Sequence, residues 1–412
     1  MKLEKLSRAW MVVAMLWLVA LLNYLDRLML ITMRGSLKEA IPMTDAEFGL
    51  LTAVFLWVYA GLSPFAGFLA DRFSRSRVIV GSLLVWSLVT FLTGQATTFH
   101  QLLAARALMG ISEACYIPAA LALIADYHRG ATRSLATGIH MTGIFLGSAM
   151  GGLGGWLAQC YGWSFSFTIF GVIGTLYALV LAVTLSDAPR ADMPPTQSEL
   201  QTPRASLWQA LASLCRQRDF LFLTAYWGLL GIAGWAIVGW LPSYLSERFH
   251  LDQGAAGLSA IGYLFIASLL GVLFGGAWAD RWTRSNQRGR ILVPVLGLCV
   301  AAPAVLLAAQ TGLLVVAIAG MTIYGFTRAF GDANMMPILC LVADPRYRAT
   351  GYGVLNLFSC LAGGVAIYAG GSLLDHGVDL STVFQFSAGL LVVCALFLLA
   401  VKPRRHEELI KA

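Results

Sequence analysis

Gly67-Phe68-Leu69-Ala70-Asp71-Arg72-Phe73-Ser74-Arg75-Ser76-Arg77 recurs as Gly276-Ala277-Trp278-Ala279-Asp280-Arg281-Trp282-Thr283-Arg284, with Arg288 and Arg290 following. Each copy closes a long apolar run with a burst of arginine. A second pair, Asp126 with Ala131-Thr132 and Asp344 with Ala349-Thr350, stands at nearly the same offset. The chain therefore reads as two related halves, each a bundle of apolar helices. Paired repeats of this kind in a membrane are the architecture of a secondary transporter.

Working outward from the repeat, composition places the chain in a bilayer. It is 58% apolar and only 12% charged, with a mean hydropathy of +0.74. A helix crossing hydrocarbon needs about 20 mostly apolar residues. Twelve such stretches stand near 9–33, 47–70, 78–95, 100–125, 134–158, 165–186, 219–243, 255–279, 291–309, 312–342, 347–373 and 379–401. None alternates with period two, so these are helices, not barrel strands. The first run is too long for a signal-peptide core and lacks a small-residue cleavage site, so it is expected to be retained. The fold class predicted is an all-α membrane protein of twelve spans in two pseudo-symmetric six-helix bundles. The expected division is 1–186, a linker over 187–218, and 219–412 with a short tail. The linker carries Pro189, Pro194, Pro195 and Pro203 and suggests a short surface helix around Leu207–Cys215.

The net charge of +7 does not point to nucleic acid. Of 28 Lys and Arg, 22 fall in segments that twelve crossings place on one side, whereas Arg34, Lys38 and Arg248 fall on the other. That asymmetry is the positive-inside rule with both termini cytoplasmic, and the expected location is a bacterial inner (plasma) membrane. Seven scattered cysteines show no close CxxC spacing, which suggests neither a disulfide framework nor a metal site. No GxSxG, HExxH or phosphate-loop pattern appears, so neither a membrane-embedded enzyme nor an ATP-driven pump is expected, and no cofactor beyond protons as coupling ion.

On these features the chain resembles the Major Facilitator Superfamily over essentially its full length. The match rests on the six-plus-six layout, the Gly-x-Leu-Ala-Asp-Arg-x-x-Arg loop after the second span and its copy after the eighth. Ser74 stands where the first signature usually has glycine. Asn23-Tyr24-Leu25-Asp26-Arg27 and Arg106-Ala107-Leu108-Met109-Gly110-Ile111-Ser112-Glu113-Ala114 resemble the anion:cation symporter branch, which includes sugar-acid carriers. The related Spinster lipid transporters share the same pairs, and Glu113-Ala114-Cys115-Tyr116 is closer to them. The resemblance implies a monomer working by alternating access, with spans 1, 4, 7 and 10 around a central cavity.

Charges inside a membrane cost at least about 2.5 kcal/mol on insertion scales, so those that persist have partners and usually a task. Asp26 and Arg27 lie in the first span, Arg106 and Glu113 in the fourth, Arg328 and Asp332 one turn apart in the tenth. Three acids balance three arginines, so protonating one acid leaves +1, which a monoanion would cancel; proton and anion then favour each other's binding. Arginine holds a carboxylate or phosphate by two hydrogen bonds and never deprotonates. Glu113 and Asp26 are thus candidate proton-coupling acids, and Arg27 and Arg106 substrate or relay cations. The other reading of the same residues is a static set of ion pairs bracing spans 1 and 4. Arg328 and Asp332 either set substrate choice or satisfy each other.

Tyr59, Trp235, Tyr263, Tyr324 and Asn356 are candidates to line the pathway, or else packing residues. His140 reads as a proton relay or as a polar, partly solvated helix end. Pro242 is expected to end or kink the seventh span. Gly143, Gly147, Gly151 and Gly155 clear one stripe of the fifth span for close packing, which the resemblance sets against the eighth span across the seam. Asp71, Arg72, Asp280 and Arg281 read as a cytoplasmic latch or as topology anchors. The substrate expected is a small organic anion such as a sugar acid, taken up with protons; a lysolipid is the alternative.

Overall fold

The computed structural model describes residues 2–128, 132–188, 207–344 and 347–402, leaving aside the side chains of 2–7, 64, 67–71, 134, 207 and 349. Of the described residues 88% are helical, and none lies in a strand. The first half contains α1 (Lys2–Met29), α2 (Arg34–Ala40), α3 (Asp45–Arg72), α4 (Arg75–Thr93), α5 (Phe99–Glu113), α6 (Tyr116–Tyr127), α7 (Arg133–Met150), α8 (Leu153–Tyr161) and α9 (Trp163–Thr184). The second contains α10 (Leu207–Cys215), α11 (Arg218–Phe249), α12 (Gln253–Gly257), α13 (Tyr263–Thr283), α14 (Gly289–Gln310), α15 (Leu314–Val342), α16 (Arg348–Asp375) and α17 (Leu380–Ala400).

Eleven helical segments among the described residues are long and apolar enough to cross a membrane. The expected fifth span differs: it is divided into α7 and α8 at Gly151-Gly152, where two residues without side chains weaken the helix. The fourth span is likewise two helices, α5 and α6. Pro118 has no N–H to give the Ala114 carbonyl, and the helix breaks at Ala114-Cys115, directly after Glu113. Pro242 does not end the seventh span. The helix neither stops nor shortens there but runs on to Phe249 before His250 turns it with φ 55°.

Sequence chemistry sets the starts. Thr98 and Gln101 form a capping box on α5, and Asp252 and Asp379 cap α12 and α17. Gly162 joins α8 to α9 at φ 87°, a conformation closed to most side chains. Along the seam between halves, Gly49 and Gly371 of α3 and α16 meet the backbone of Ile367 and Asp45, and Gly364 meets the Trp57 indole. Small residues on both helices let the two backbones approach, which is what drives helix association where both surroundings are apolar.

The glycine stripe requires a correction. A side chain at Gly143 would strike the Trp17 carbonyl, at Gly147 the Leu21 backbone and at Gly151 Leu28, all on α1. Those three glycines therefore face their own half, whereas Gly155 meets both Thr32 and the start of the eighth span at Gln253, and Gly152 meets Gly257; the fifth span still packs against α13. A four-residue spacing says that a face is bare, not which neighbour covers it.

Candidate functional site

Four of the charges predicted to act come together in the first half. Arg27 Nη2 donates to Glu113 Oε2 at 2.9 Å, joining α1 to the last residue of α5, and the two side chains are 5% and 0% exposed. Asp26, on the neighbouring face of α1, accepts from Thr90 Oγ1 at 3.2 Å; its other oxygen has no protein partner. Arg106 lies two turns before Glu113 and is wholly buried. Its Nε donates to the Leu51 carbonyl at 3.3 Å and Nη1 to Met109 Sδ at 3.1 Å, while Nη2 has no protein partner.

Aromatic faces enclose these cations. The Arg27 guanidinium lies 4.4 Å from the Tyr24 ring centre, 4.8 Å from Phe55 and 4.7 Å from Tyr59. Phe55 also receives Arg106 at 4.9 Å. A ring quadrupole attracts a cation by about 0.5–2 kcal/mol, more when water is excluded. Tyr24 and Phe55 escaped the sequence reading because an aromatic residue in a membrane helix carries no mark of its neighbour.

The second cluster belongs to α15. Arg328 Nη1 donates to Asp332 Oδ2 at 3.2 Å, one turn away, and the pair is 25% and 27% exposed. Buried Tyr226 of α11 and Tyr324 lie within electrostatic reach of both, their hydroxyls without protein partners. Tyr24 lies within electrostatic reach of both Arg27 and Asp332. Trp235 sits in the seam between the halves against Gly363, in one apolar cluster with Tyr59. Asn356 Oδ1 accepts from Cys360 Sγ at 3.9 Å on α16. Tyr263 is not brought to either cluster; it is 55% exposed at the start of α13.

Most of the described hydrogen bonds that join the halves gather on the face opposite the arginine-rich loops; deeper, Trp57 Nε1 donates to the Leu361 carbonyl at 3.1 Å. Arg34 forks Asp45 through Nε and Nη2, both at 2.8 Å, and reaches across to Glu247 through Nη1 at 2.6 Å. Burial works against the Arg34 charge, but the Asp45 hydrogen bonds and the two carboxylates more than offset it, holding its pKa above the ordinary range. Asp375 of α16 accepts from the N–H groups of Asp45 and Ala46, both at 2.8 Å, and so caps α3 from the other half. Gln253 accepts from Ser36 N at 2.9 Å and donates to Ser36 Oγ at 2.8 Å. This seal was not foreseen; its trace was two cations, Arg34 and Lys38, on the sparsely basic side.

The expected latch is not assembled at Asp280, which pairs with Arg290 of its own loop at 3.0 Å, both partly exposed. Arg72 and Arg281 are exposed at their helix ends; the Asp71 side chain lies outside the described residues. His140 is not a solvated helix end. It is fully buried, its Nε2 lying 2.9 Å from the Tyr116 hydroxyl, which also reaches the Leu16 carbonyl at 2.7 Å. It thereby ties α7 to α6 just beyond the break after Glu113.

The Major Facilitator Superfamily sequence profile matches residues 16–367. An MFS-type efflux pump of Mycolicibacterium smegmatis is 28% identical over 90% of this chain and 86% of its own length. Protein spinster homolog 1 of Homo sapiens is 28% identical over 87% of this chain and 71% of its own. A probable sulfoacetate transporter of Cupriavidus necator is 24% identical over 97% and 95%. Among solved structures, a bacterial homolog to the human lysosomal transporter Spinster, inward-facing and unoccupied, superposes with a TM-score of 0.77 at 22% identity, covering 96% of this chain and 95% of that one.

Proposed function

This chain belongs to the Major Facilitator Superfamily, a transporter of that fold, and on that premise we propose that it carries a small organic anion together with protons by alternating access. The observation that carries the reading is the buried Arg27–Glu113 pair, with Asp26 and Arg106 beside it at the seam between halves. A carboxyl there can be switched, because burial disfavours its ionised form and a guanidinium favours it. Glu113 is the coupling acid: protonated, it releases Arg27 from its ion pair and leaves the cluster one charge more positive. Asp26, held by one neutral donor, is the second acid.

Taking the arginine-rich face as cytoplasmic by the positive-inside rule, we read the sealed face as the outer one and the arrangement as closed outward. In this cycle Asp71, Arg72, Asp280 and Arg281 meet when the molecule tilts the other way, and Asp280 exchanges its loop partner for one across the seam.

A lysolipid is the second reading. It is supported by the Spinster relatives and by an apolar groove of about 450 Å³ between α11, α16 and α17, lined by Ile232, Val365, Leu373 and Phe386. Thermal stabilisation of the purified protein by gluconate or glucuronate favours the first reading, and stabilisation by a lysophospholipid the second. For the coupling itself, Glu113→Gln in proteoliposomes is expected to abolish accumulation driven by a proton gradient while leaving exchange of substrate across the membrane. Intact proton-driven accumulation in that variant refutes the assignment.

A further inference from the structure

We propose that the anionic head of the transported molecule is received on the second half, by Arg328 with the hydroxyls of Tyr226 and Tyr324, and not by the arginines of the first half. This rests on the anion-transport reading. Arg27 and Arg106 are 5% and 0% exposed, and their guanidinium groups are already enclosed by rings, Glu113, the Leu51 carbonyl and Met109. A ligand reaching them would have to dismantle that packing. Arg328 is 25% exposed and pairs with Asp332 at 3.2 Å, longer than the 2.7–2.9 Å of a firm charge-assisted bond.

The donors around Arg328 are in excess. Its Nε, Tyr226 Oη and Tyr324 Oη are buried and have no protein partner, and buried donors of this kind are normally satisfied. Among the described residues the acceptor charge beside them is Asp332, already on Nη1. Arg328, Gly331 and Asp332 share one face of α15, being three and four residues apart. Tyr226 Oη lies against that face: a Cβ added at Gly331 would stand 2.7 Å from it. Opposite, a Cβ at Gly234 would stand 3.6 Å from Arg328 Nε. Two glycines thus keep open the space between one guanidinium and its phenol neighbours.

Such a set recognises an oxyanion, whether carboxylate, sulfonate or phosphate, because every free group there donates and the cation is a planar fork. The incoming group replaces Asp332 on Arg328. Asp332 lies within electrostatic reach of Tyr24, whose ring rests on Arg27, so the exchange is felt at the proton-coupling cluster.

The test measures binding of gluconate, sulfoacetate and lysophosphatidylglycerol to the full-length protein in detergent, followed by phenylglyoxal labelling with peptide mass spectrometry. The two soluble anions and the lipid distinguish a free oxyanion from a headgroup. Arg328→Gln should weaken binding about 10- to 100-fold and Tyr226→Phe, which removes only a hydroxyl, about 3- to 10-fold. The bound anion should protect Arg328 from labelling. Wild-type affinity in a Tyr226→Phe protein that melts normally, or protection at Arg106 in place of Arg328, overturns the proposal. Loss of binding in Arg328→Gln beside intact proton-driven accumulation in Glu113→Gln would sink the coupling reading and leave this one standing. If none of the three probes binds, both fall.

Discussion

Replacing Asp375 by Asn should open the sealed face. Its two oxygens each accept, at 2.8 Å, one of the first N–H groups of α3, and the bond crosses from one half to the other. When the face opens, those donors pass to water, so the variant loses only the difference between a carboxylate cap and hydration. A cap is worth about 1 kcal/mol, and an anion at a helix N-terminus about 0.3–1 kcal/mol at an exposed site. Asparagine keeps one acceptor and loses the charge, which leaves a deficit of about 1 kcal/mol, or about fivefold in the open-to-sealed ratio. Glu247→Gln should do less: its side chain is 49% exposed in its pair with Arg34, exposed ion pairs contribute about 0.2–1 kcal/mol, and glutamine keeps an acceptor for Arg34. Double electron-electron resonance between labels at Glu39 and His250, both exposed and on opposite halves, reads the ratio directly. If Glu247→Gln opens the face as far as Asp375→Asn, or Asp375→Asn leaves the distances unchanged, then capping is not what holds it.

Two further substitutions test the packing that positions the acids. Gly147→Ala should lower the melting temperature, because its Cβ falls on the Leu21 backbone and overpacking costs about 1–3 kcal/mol, whereas Gly138→Ala on the same helix meets nothing within 4 Å and should be nearly silent. Pro118→Ala restores an N–H to the Ala114 carbonyl and straightens the fourth span; the protein should melt no lower, yet proton-driven uptake should fall at least tenfold as Glu113 turns from Arg27. Unchanged uptake would mean that the break does not aim Glu113.

What the sequence disclosed follows from which physical signals are local. Apolar runs and arginine bursts are local, so the helical spans and their arginine-rich connections could be read directly. Asp26, Arg27, Arg106 and Glu113 were visible because an ion in an apolar run is conspicuous whatever surrounds it. Their enclosure was not, since Phe55 looks like any other apolar residue until α3 is packed against α1 and α5. The seal was hidden for a related reason. Asp375 and Asp45 are 330 residues apart and each stands at a helix end, where a carboxylate attracts no notice. The reading of His140 as a partly solvated helix end fails because the packing of α1 and α6 over it, and not its place along the helix, sets its exposure.

The aromatic enclosure also bears on how a proton and an anion can sense one another. Arg27 and Arg106 lie 4.8 and 4.9 Å from one ring centre, that of Phe55, so the two cations are at most about 10 Å apart. At an effective dielectric constant of about 20 their repulsion is at least about 1.7 kcal/mol. While Glu113 is ionised, its bond to Arg27 screens that repulsion; once it is protonated, the repulsion returns and the cluster gains a net positive charge. An oxyanion bound at Arg328 then lowers the energy of the protonated state more than that of the ionised one. Reciprocity requires the proton to tighten the anion by the same amount. A coupling of about 1–2 kcal/mol corresponds to a 5- to 30-fold change in affinity.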